Sequence, residues 1–266
     1  MSYQDVKRKC PERPARVIAL MNQKGGVGKS TTTVNLAAAL GEKNYKVLVV
    51  DFDPQGNATS GFGIDKNSIG ASVYDAILND VPFEETLCPT SNKRVFVTPA
   101  TIQLAGAEVE LVSAIAREMK LKEALTPVRE AFDYIFIDCP PSLGVLTINA
   151  LAACDSILVP IQCEYYALEG VTKLLESMKM VKKSLNPQLD IFGVLMTMYD
   201  SRTSLSKQVA EEVKAYFGDK MFSTMIPRNV RVSEAPSYGK SVIEYDRNSK
   251  GAEAYLELAK EVVKRG

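Results

Sequence analysis

Histidine is absent from all 266 residues of this chain. That gap removes His general-base catalysis, His-containing triads and His-ligated metal sites from consideration. Cysteine offers little in exchange: its five copies (Cys10, Cys88, Cys139, Cys154 and Cys163) are scattered and form no C-x-x-C pair, which fits a reduced, cytosolic compartment. No stretch approaches the roughly 20 apolar residues of a membrane-spanning helix. The amino terminus has no apolar core of the kind a secretory signal carries. Net charge is missing too, since 32 Lys and Arg balance 32 Asp and Glu. A globally basic nucleic-acid coat is thereby excluded, although a local basic patch is not. No internal repeat or low-complexity tract is evident. What remains is a composition ordinary for a soluble globular protein, 46% apolar, at a length that suits one large α/β domain.

Against that background one stretch organises the chain, N-Q-K-G-G-V-G-K-S-T at residues 22–31. It follows an apolar, β-leaning run at 16–21 and opens a helix-like run at 32–40. Strand, glycine-rich turn and helix together form the setting of a phosphate-binding loop. Gly25, Gly26 and Gly28 let backbone N–H groups around Val27 curl about oxyanions with no Cβ in the way. The helix start adds its free N–H groups and positive dipole end. Lys29 is then placed to reach the β- and γ-phosphates, Ser30 to offer a hydroxyl to Mg²⁺, and Thr31 to bond the next phosphate. The ordinary motif requires glycine six positions before that lysine, but position 23 holds Gln and Lys24 follows it. An outward-pointing Lys24 suits a nucleotide held by another subunit, because Lys29 already serves the chain's own.

Other elements follow in order. Residues 1–15 are polar and basic, with Lys7, Arg8, Lys9 and Arg13, and read as a flexible basic tail ahead of a single domain over 16–266. Continuous apolar runs at 46–52 and 133–138 have the look of strands buried on both faces in a parallel sheet. The first ends in Asp51-Phe52-Asp53-Pro54-Gln55-Gly56, putting two carboxylates at a strand's carboxyl end, where doubly wound sheets bind ligands. The second ends in Asp138, the Walker B pattern of hydrophobics closed by a metal-holding acid. Further strands are expected at 93–98, 156–161, 190–199 and 221–226. Helices are expected at 73–78, at 104–130 with a break at Pro127, at 143–153, 165–183 and 205–217, and a short turn or helix at 230–235. The last stretch places Ala252, Tyr255, Leu256, Ala259, Val262 and Val263 on one helical face, opposite a mixed-charge face, and is expected to face the core rather than a membrane. The architecture implied is α/β: a doubly wound, mostly parallel sheet with helices on both faces.

These stretches together resemble the deviant Walker A ATPases of the ParA/MinD type, and most closely the chromosomal ParA/Soj partition proteins. The resemblance is carried by NQKGGVGKST (22–31), DFDPQGNATS (51–60), FIDCPPSLG (136–144), PIQCEYYALEG (160–170) and IPRNVRVSEAPSYG (226–239). It implies a P-loop ATPase that uses ATP and Mg²⁺. Lys29 matches the phosphate lysine acting in cis, and Lys24 the signature lysine that reaches across a nucleotide-sandwich homodimer. Ser30 matches the Mg²⁺ ligand, Thr31 a phosphate contact and Asp138 the Walker B acid. Asp53 matches the acid that orients or activates the attacking water beside the metal, with Asp51 supporting the metal site. Pro227, Arg228 and Asn229, with Met198, fall where the family holds adenine, and Gly25 falls where a larger side chain would crowd the dimer seam. Non-specific contact with double-stranded DNA is implied for Arg202 and Arg231, with Lys207, Arg228, Lys240, Arg247 and Lys250 extending the patch. Hydrolysis is expected to be slow alone and accelerated by a ParB-type centromere-binding partner, in a cytoplasmic, nucleoid-associated protein. The alternative is a MinD-like membrane-cycling division regulator, which would need a basic, bulky amphipathic carboxyl terminus. A cluster-carrying, reductase-like ATPase would need a convincing cysteine pair, and a metabolic synthetase a substrate pocket.

Overall fold

In the computed structural model, residues 2–165 and 167–265 are described. The strands are β1 (Arg16–Leu20), β2 (Val47–Asp51), β3 (Cys88–Pro89), β4 (Val95–Thr98), β5 (Tyr134–Asp138), β6 (Ser156–Gln162) and β7 (Asp190–Thr197). They form one sheet in the order β3-β4-β2-β5-β1-β6-β7. Every pairing is parallel except that of the short edge strand β3 with β4. The central strands β2 and β5 are buried along their whole length, which is why they read as continuous apolar runs rather than alternating ones. Alternate side chains feed two separate cores. Val17, Ala19, Leu48, Val50, Ile135 and Ile137 face one, and Ile18, Leu20, Val47, Val49, Tyr134 and Phe136 face the other.

Helices cover both faces. They are α1 (Lys29–Glu42), α2 (Asn57–Gly61), α3 (Val73–Leu78), α4 (Leu104–Glu110), α5 (Lys120–Arg129), α6 (Val145–Ala153), α7 (Glu169–Ser184), α8 (Ser204–Phe217), α9 (Val230–Glu234), α10 (Val242–Tyr245) and α11 (Lys250–Arg265). The first core is closed by α3 to α8, and the second by α1, α2 and α9 to α11. α11 buries Ala252, Tyr255, Leu258, Ala259 and Val262, and the Tyr255 and Thr32 hydroxyls meet at 3.4 Å. Leu256 and Val263, expected on that stripe, lie half-buried at its margin. Among the described residues, no helix is long and apolar enough to cross a membrane.

Three expectations change. The helix expected over 104–130 is interrupted. After a 3₁₀ turn at Leu111–Ser113 the chain leaves the helical path, and Ala116 takes a left-handed φ of +51°. Pro127 lies inside α5 instead of ending it. It stands two residues from the helix end, and the bond its missing N–H gives up is the one to the Glu123 carbonyl in the first turn. The strand expected at 221–226 makes only isolated bridges, Val194 with Met221 and Tyr199 with Pro227. Its middle is claimed by another partner: the Ser223 and Thr224 amides donate to the Glu261 carboxylate of α11 at 2.9 and 3.0 Å.

The third change is at the amino terminus, where the expected flexible tail lies on the body. Lys9 and Cys10 donate their amides to the buried Asp133 carboxylate at 2.8 and 2.9 Å, and Lys46 donates its amide to the same group at 2.8 Å. Arg8 pairs with Asp133 and Glu130, and the Lys46 ammonium lies 5.2 Å from the Tyr3 ring and 4.9 Å from the Phe132 ring. The basic composition of this segment complements a carboxylate more than a hundred residues away, a pairing no local pattern displays. The helix expected from 165 begins at Glu169, and Tyr166 lies outside the described residues.

Asp133→Ala would strand three amide donors at once. It should lower stability by about 2 kcal/mol, roughly 4–8 °C in Tm, and open the first ten residues to limited proteolysis. An unchanged melting curve would show that the strap contributes nothing.

Candidate functional site

Sheet register decides where the chemistry falls. β5 lies between β1 and β2, with Asp138 level with Leu20 on one side and Asp51 on the other. The carboxyl ends of three adjacent strands therefore deliver the glycine-rich loop, Asp138 and the Asp51–Asp53 pair to one edge. The loop turns into α1 through Gly26 and Gly28, whose φ values of +76° and +87° are left-handed. Thr32 N–H already donates to Gly28 O at 2.8 Å, so the free N–H groups of the helix start lie just before it. Asn22 fixes the outer limb of the loop, donating from its side chain to Pro160 O at 2.8 Å and accepting from Lys24 N–H at 3.0 Å. Sequence reasoning did not assign Asn22 a role; only its position ahead of the lysine hinted at one.

Three charged groups are withdrawn from water here. Asp138 is fully buried. One oxygen accepts from Thr33 Oγ1 at 3.2 Å, and the other has no well-formed hydrogen bond. Burial, and then the neighbouring Asp51 charge, pushes the Asp138 carboxyl well above the usual range, while the Ser30 hydroxyl facing it pulls the other way. Asp51 is raised by burial as well, restrained by Thr59, which donates its N–H at 2.7 Å and its hydroxyl at 2.6 Å. Lys29 is only 7% exposed, and its Nζ donates to Lys24 O at 3.3 Å. Burial lowers the Lys29 ammonium, against the attraction of Asp138 and Asp53. Asp53 is held in a tight turn, its Oδ1 accepting from Gln55 N–H at 2.9 Å and its carbonyl from Gly56 N–H at 2.8 Å. Thr33 and Thr59 were missed in the sequence because a threonine carries no signal until its partner's place is known.

A buried carboxylate oxygen without a partner, beside a serine hydroxyl and a glycine-rich loop, fits a divalent cation. Among the described residues, no three His, Cys, Asp or Glu side chains converge to hold one alone. A cation there needs phosphate oxygens or water to complete its shell, which is the habit of Mg²⁺.

A cleft of about 440 Å³ runs from Lys29, Ser30 and Thr31 past Asp53 to Met198 and Lys240. Met198 holds a left-handed φ of +52°, uncommon for a side-chain-bearing residue, and its neighbour Thr197 donates to Val27 O at 2.9 Å. Pro227 bridges Tyr199 and Arg228 N–H donates to Tyr199 O at 3.1 Å, which sets 227–229 next to Met198. Those three residues are not among the cleft's lining. The Asn229 side-chain Oδ1 is taken up in capping α9, accepting from Arg231 N–H at 3.0 Å and Val232 N–H at 3.3 Å. A larger cleft, about 740 Å³, opens at the strand starts near Arg16, Ser156 and Asp190. Ligands of doubly wound sheets bind at the opposite ends, so the smaller cleft is the candidate.

Lys24 sits half-exposed at the rim, and its ammonium pairs with Glu164 in the loop after β6. A Cβ added at Gly25 would meet nothing within 4 Å, so any steric demand there arises outside the protomer. The candidate DNA residues are all exposed, and Arg228 lies near enough to Asp200, the partner of Arg202, to act on its charge. Arg202 and Lys207 belong to the α8 side, and Arg231, Lys240, Arg247 and Lys250 to the α9–α11 side. Arg202 pairs with Asp200 at 2.7 Å, Arg231 with Glu234 at 2.9 Å and Asp246 at 3.2 Å, and Arg247 with Glu42.

Known proteins share this arrangement. The AAA domain family model matches residues 15–191. The sporulation initiation inhibitor protein Soj of Bacillus subtilis (strain 168) is 58% identical over 251 residues, which are 94% of this chain and 99% of that protein. The chromosome partitioning protein ParA of Myxococcus xanthus is 54% identical over 250 residues, 94% of this chain and 88% of that protein. Among solved structures, cobyrinic acid a,c-diamide synthase of Mycobacterium smegmatis with bound ADP and magnesium superposes with a TM-score of 0.82 at 40% identity, covering 94% of each chain.

Asp138→Asn keeps the acceptor for Thr33 and removes a buried charge. It should raise the Tm of the nucleotide-free protein by a few degrees while abolishing the further rise on adding nucleotide and Mg²⁺. The Asp138 carboxyl is raised on folding, so its ionisation opposes the fold at high pH and is relieved as pH falls. The stabilisation by Asn should therefore shrink as the pH is lowered, which thermal melts across pH will check.

Proposed function

This chain belongs to the ParA/Soj family of chromosome-partitioning ATPases, and we propose that it works as a slow ATP-driven switch whose nucleotide-bound homodimer grips DNA without reading its sequence. The observation that carries this reading is the meeting, in one cleft, of the buried Lys29 ammonium, the Ser30 hydroxyl and the partnerless oxygen of Asp138. Backbone N–H groups of residues 25–31 and the Lys29 ammonium bind the β- and γ-phosphates of ATP, the buried Lys29 through charge-assisted bonds. Ser30 and Asp138 would hold Mg²⁺, which would supply positive charge against the charge that builds on the phosphate oxygens. Asp53 orients water for in-line attack on the γ-phosphate, and the Asp51–Thr59 pair steadies the strand end from which Asp53 projects. Met198 and residues 227–229 flank the adenine.

Lys24 reaches the phosphates held by a second copy, so the dimer lasts only while both sites hold ATP. With equal numbers of acidic and basic residues, one protomer carries little net attraction for DNA, and the basic surfaces of two add up. Arg202 and Arg231 exchange their acidic side-chain partners for phosphates. Hydrolysis breaks the dimer, and a ParB-type centromere-binding protein accelerates it. The burial of the α11 apolar stripe in the core favours this reading over a membrane-cycling one, because that stripe is not available to a bilayer.

Lys24→Ala should keep ATP binding by the monomer and lose ATP-dependent dimers; dimers persisting by light scattering would remove the trans role. Asp53→Ala should slow turnover on the order of a hundredfold and trap a DNA-bound dimer, whereas wild-type turnover would take Asp53 out of the chemistry. Arg202→Ala combined with Arg231→Ala should weaken DNA binding at unchanged partner-free ATPase activity. The salt dependence should flatten by about one unit of log K per log salt for each phosphate no longer neutralised, and unchanged gel shifts would place the DNA surface elsewhere.

A further inference from the structure

Glu164 has no role in the switch proposed for this chain, yet it is the residue that holds the Lys24 ammonium. It follows the end of β6, and its carboxylate forms an ion pair with Lys24 inside one protomer. The backbone on both sides is fixed for that meeting. Asn22 joins the Lys24 amide, at 3.0 Å, to Pro160 O of β6, at 2.8 Å. Glu164 N–H donates to Gln162 O at 2.9 Å, and Lys29 Nζ donates to Lys24 O at 3.3 Å.

We infer that Glu164 is a latch on Lys24: it keeps the ammonium on its own protomer, and a second copy of this chain gains it only by displacing the carboxylate. The inference rests on the proposed trans role of Lys24. A nucleoside triphosphate in the second copy offers more negative charge and more acceptor directions than one carboxylate, and so wins the exchange. Glu164 acts through Lys24 and is a positioning residue. Two such pairs open per dimer, each half-exposed and therefore weak, so the latch sets a threshold for assembly without forbidding it.

Glu164→Gln removes the charge at nearly constant size, and Glu164→Asp keeps it. Dimerisation with a non-hydrolysable ATP analogue is measured by analytical ultracentrifugation, and acylation of each lysine in the nucleotide-free protein by mass spectrometry. Glu164→Gln should tighten the dimer roughly two- to thirtyfold and raise Lys24 acylation several-fold with the other lysines unchanged. Glu164→Asp should stay near wild type in both readouts. A dimer unchanged or loosened by Glu164→Gln, or Lys24 acylation that does not rise, overturns the latch. Lys24→Ala run alongside separates the two claims. Dimers surviving in that variant remove the trans role itself, whereas their loss beside an inert Glu164→Gln removes the latch alone.

Discussion

Charge buried at the carboxyl ends of three adjacent strands is the constraint on which the rest of this molecule depends. Asp51 and Asp138 stand level on neighbouring strands, both out of water, and the Asp51 charge adds to the cost of ionising Asp138. Thr59 meets most of the need of Asp51, whereas Thr33 meets only half that of Asp138. The unmet half is where binding and folding become linked. A ligand set that satisfies that oxygen returns free energy the fold has given up, so occupancy is felt as stability by the whole sheet.

The central architecture was legible because its signals are local. Strands buried on both faces read as apolar runs, and the strand–loop–helix spacing of 16–42 allows little besides a phosphate loop. Asp51, Asp53 and Asp138 could be placed together because strand ends in a doubly wound sheet share one edge. What escaped was set at long range. The 221–226 segment has strand composition, but its amides answer to Glu261, some 38 residues on. Residues 1–15 have tail composition, but their amides answer to Asp133. Apolar periodicity ran on through Ile115, which the structure leaves exposed in the gap between α4 and α5. Asn22 and Glu164 were invisible for the same reason, since each matters only through a partner from another part of the chain.

One physical habit unites the rim of the cleft and the outer surface. Lys24, Arg202, Arg231 and Arg247 each rest on a carboxylate of the same protomer in exposed or half-exposed pairs. Such pairs hold weakly in water and fade with salt. They keep a cation oriented without committing it, which is what the exchange for phosphate proposed above requires. A chain with no net charge can in this way present positive groups wherever a polyanion arrives.

The strap at the amino terminus has a consequence of another kind. The amides of Lys9, Cys10 and Lys46 converge on the one Asp133 carboxylate. Two of them lie on the strap and the third on the body beneath it, so none keeps its acceptor once that carboxylate turns away. Their exchange with deuterated solvent is therefore governed by one shared opening, with a common protection factor, rather than by gradual fraying from residue 2 inward.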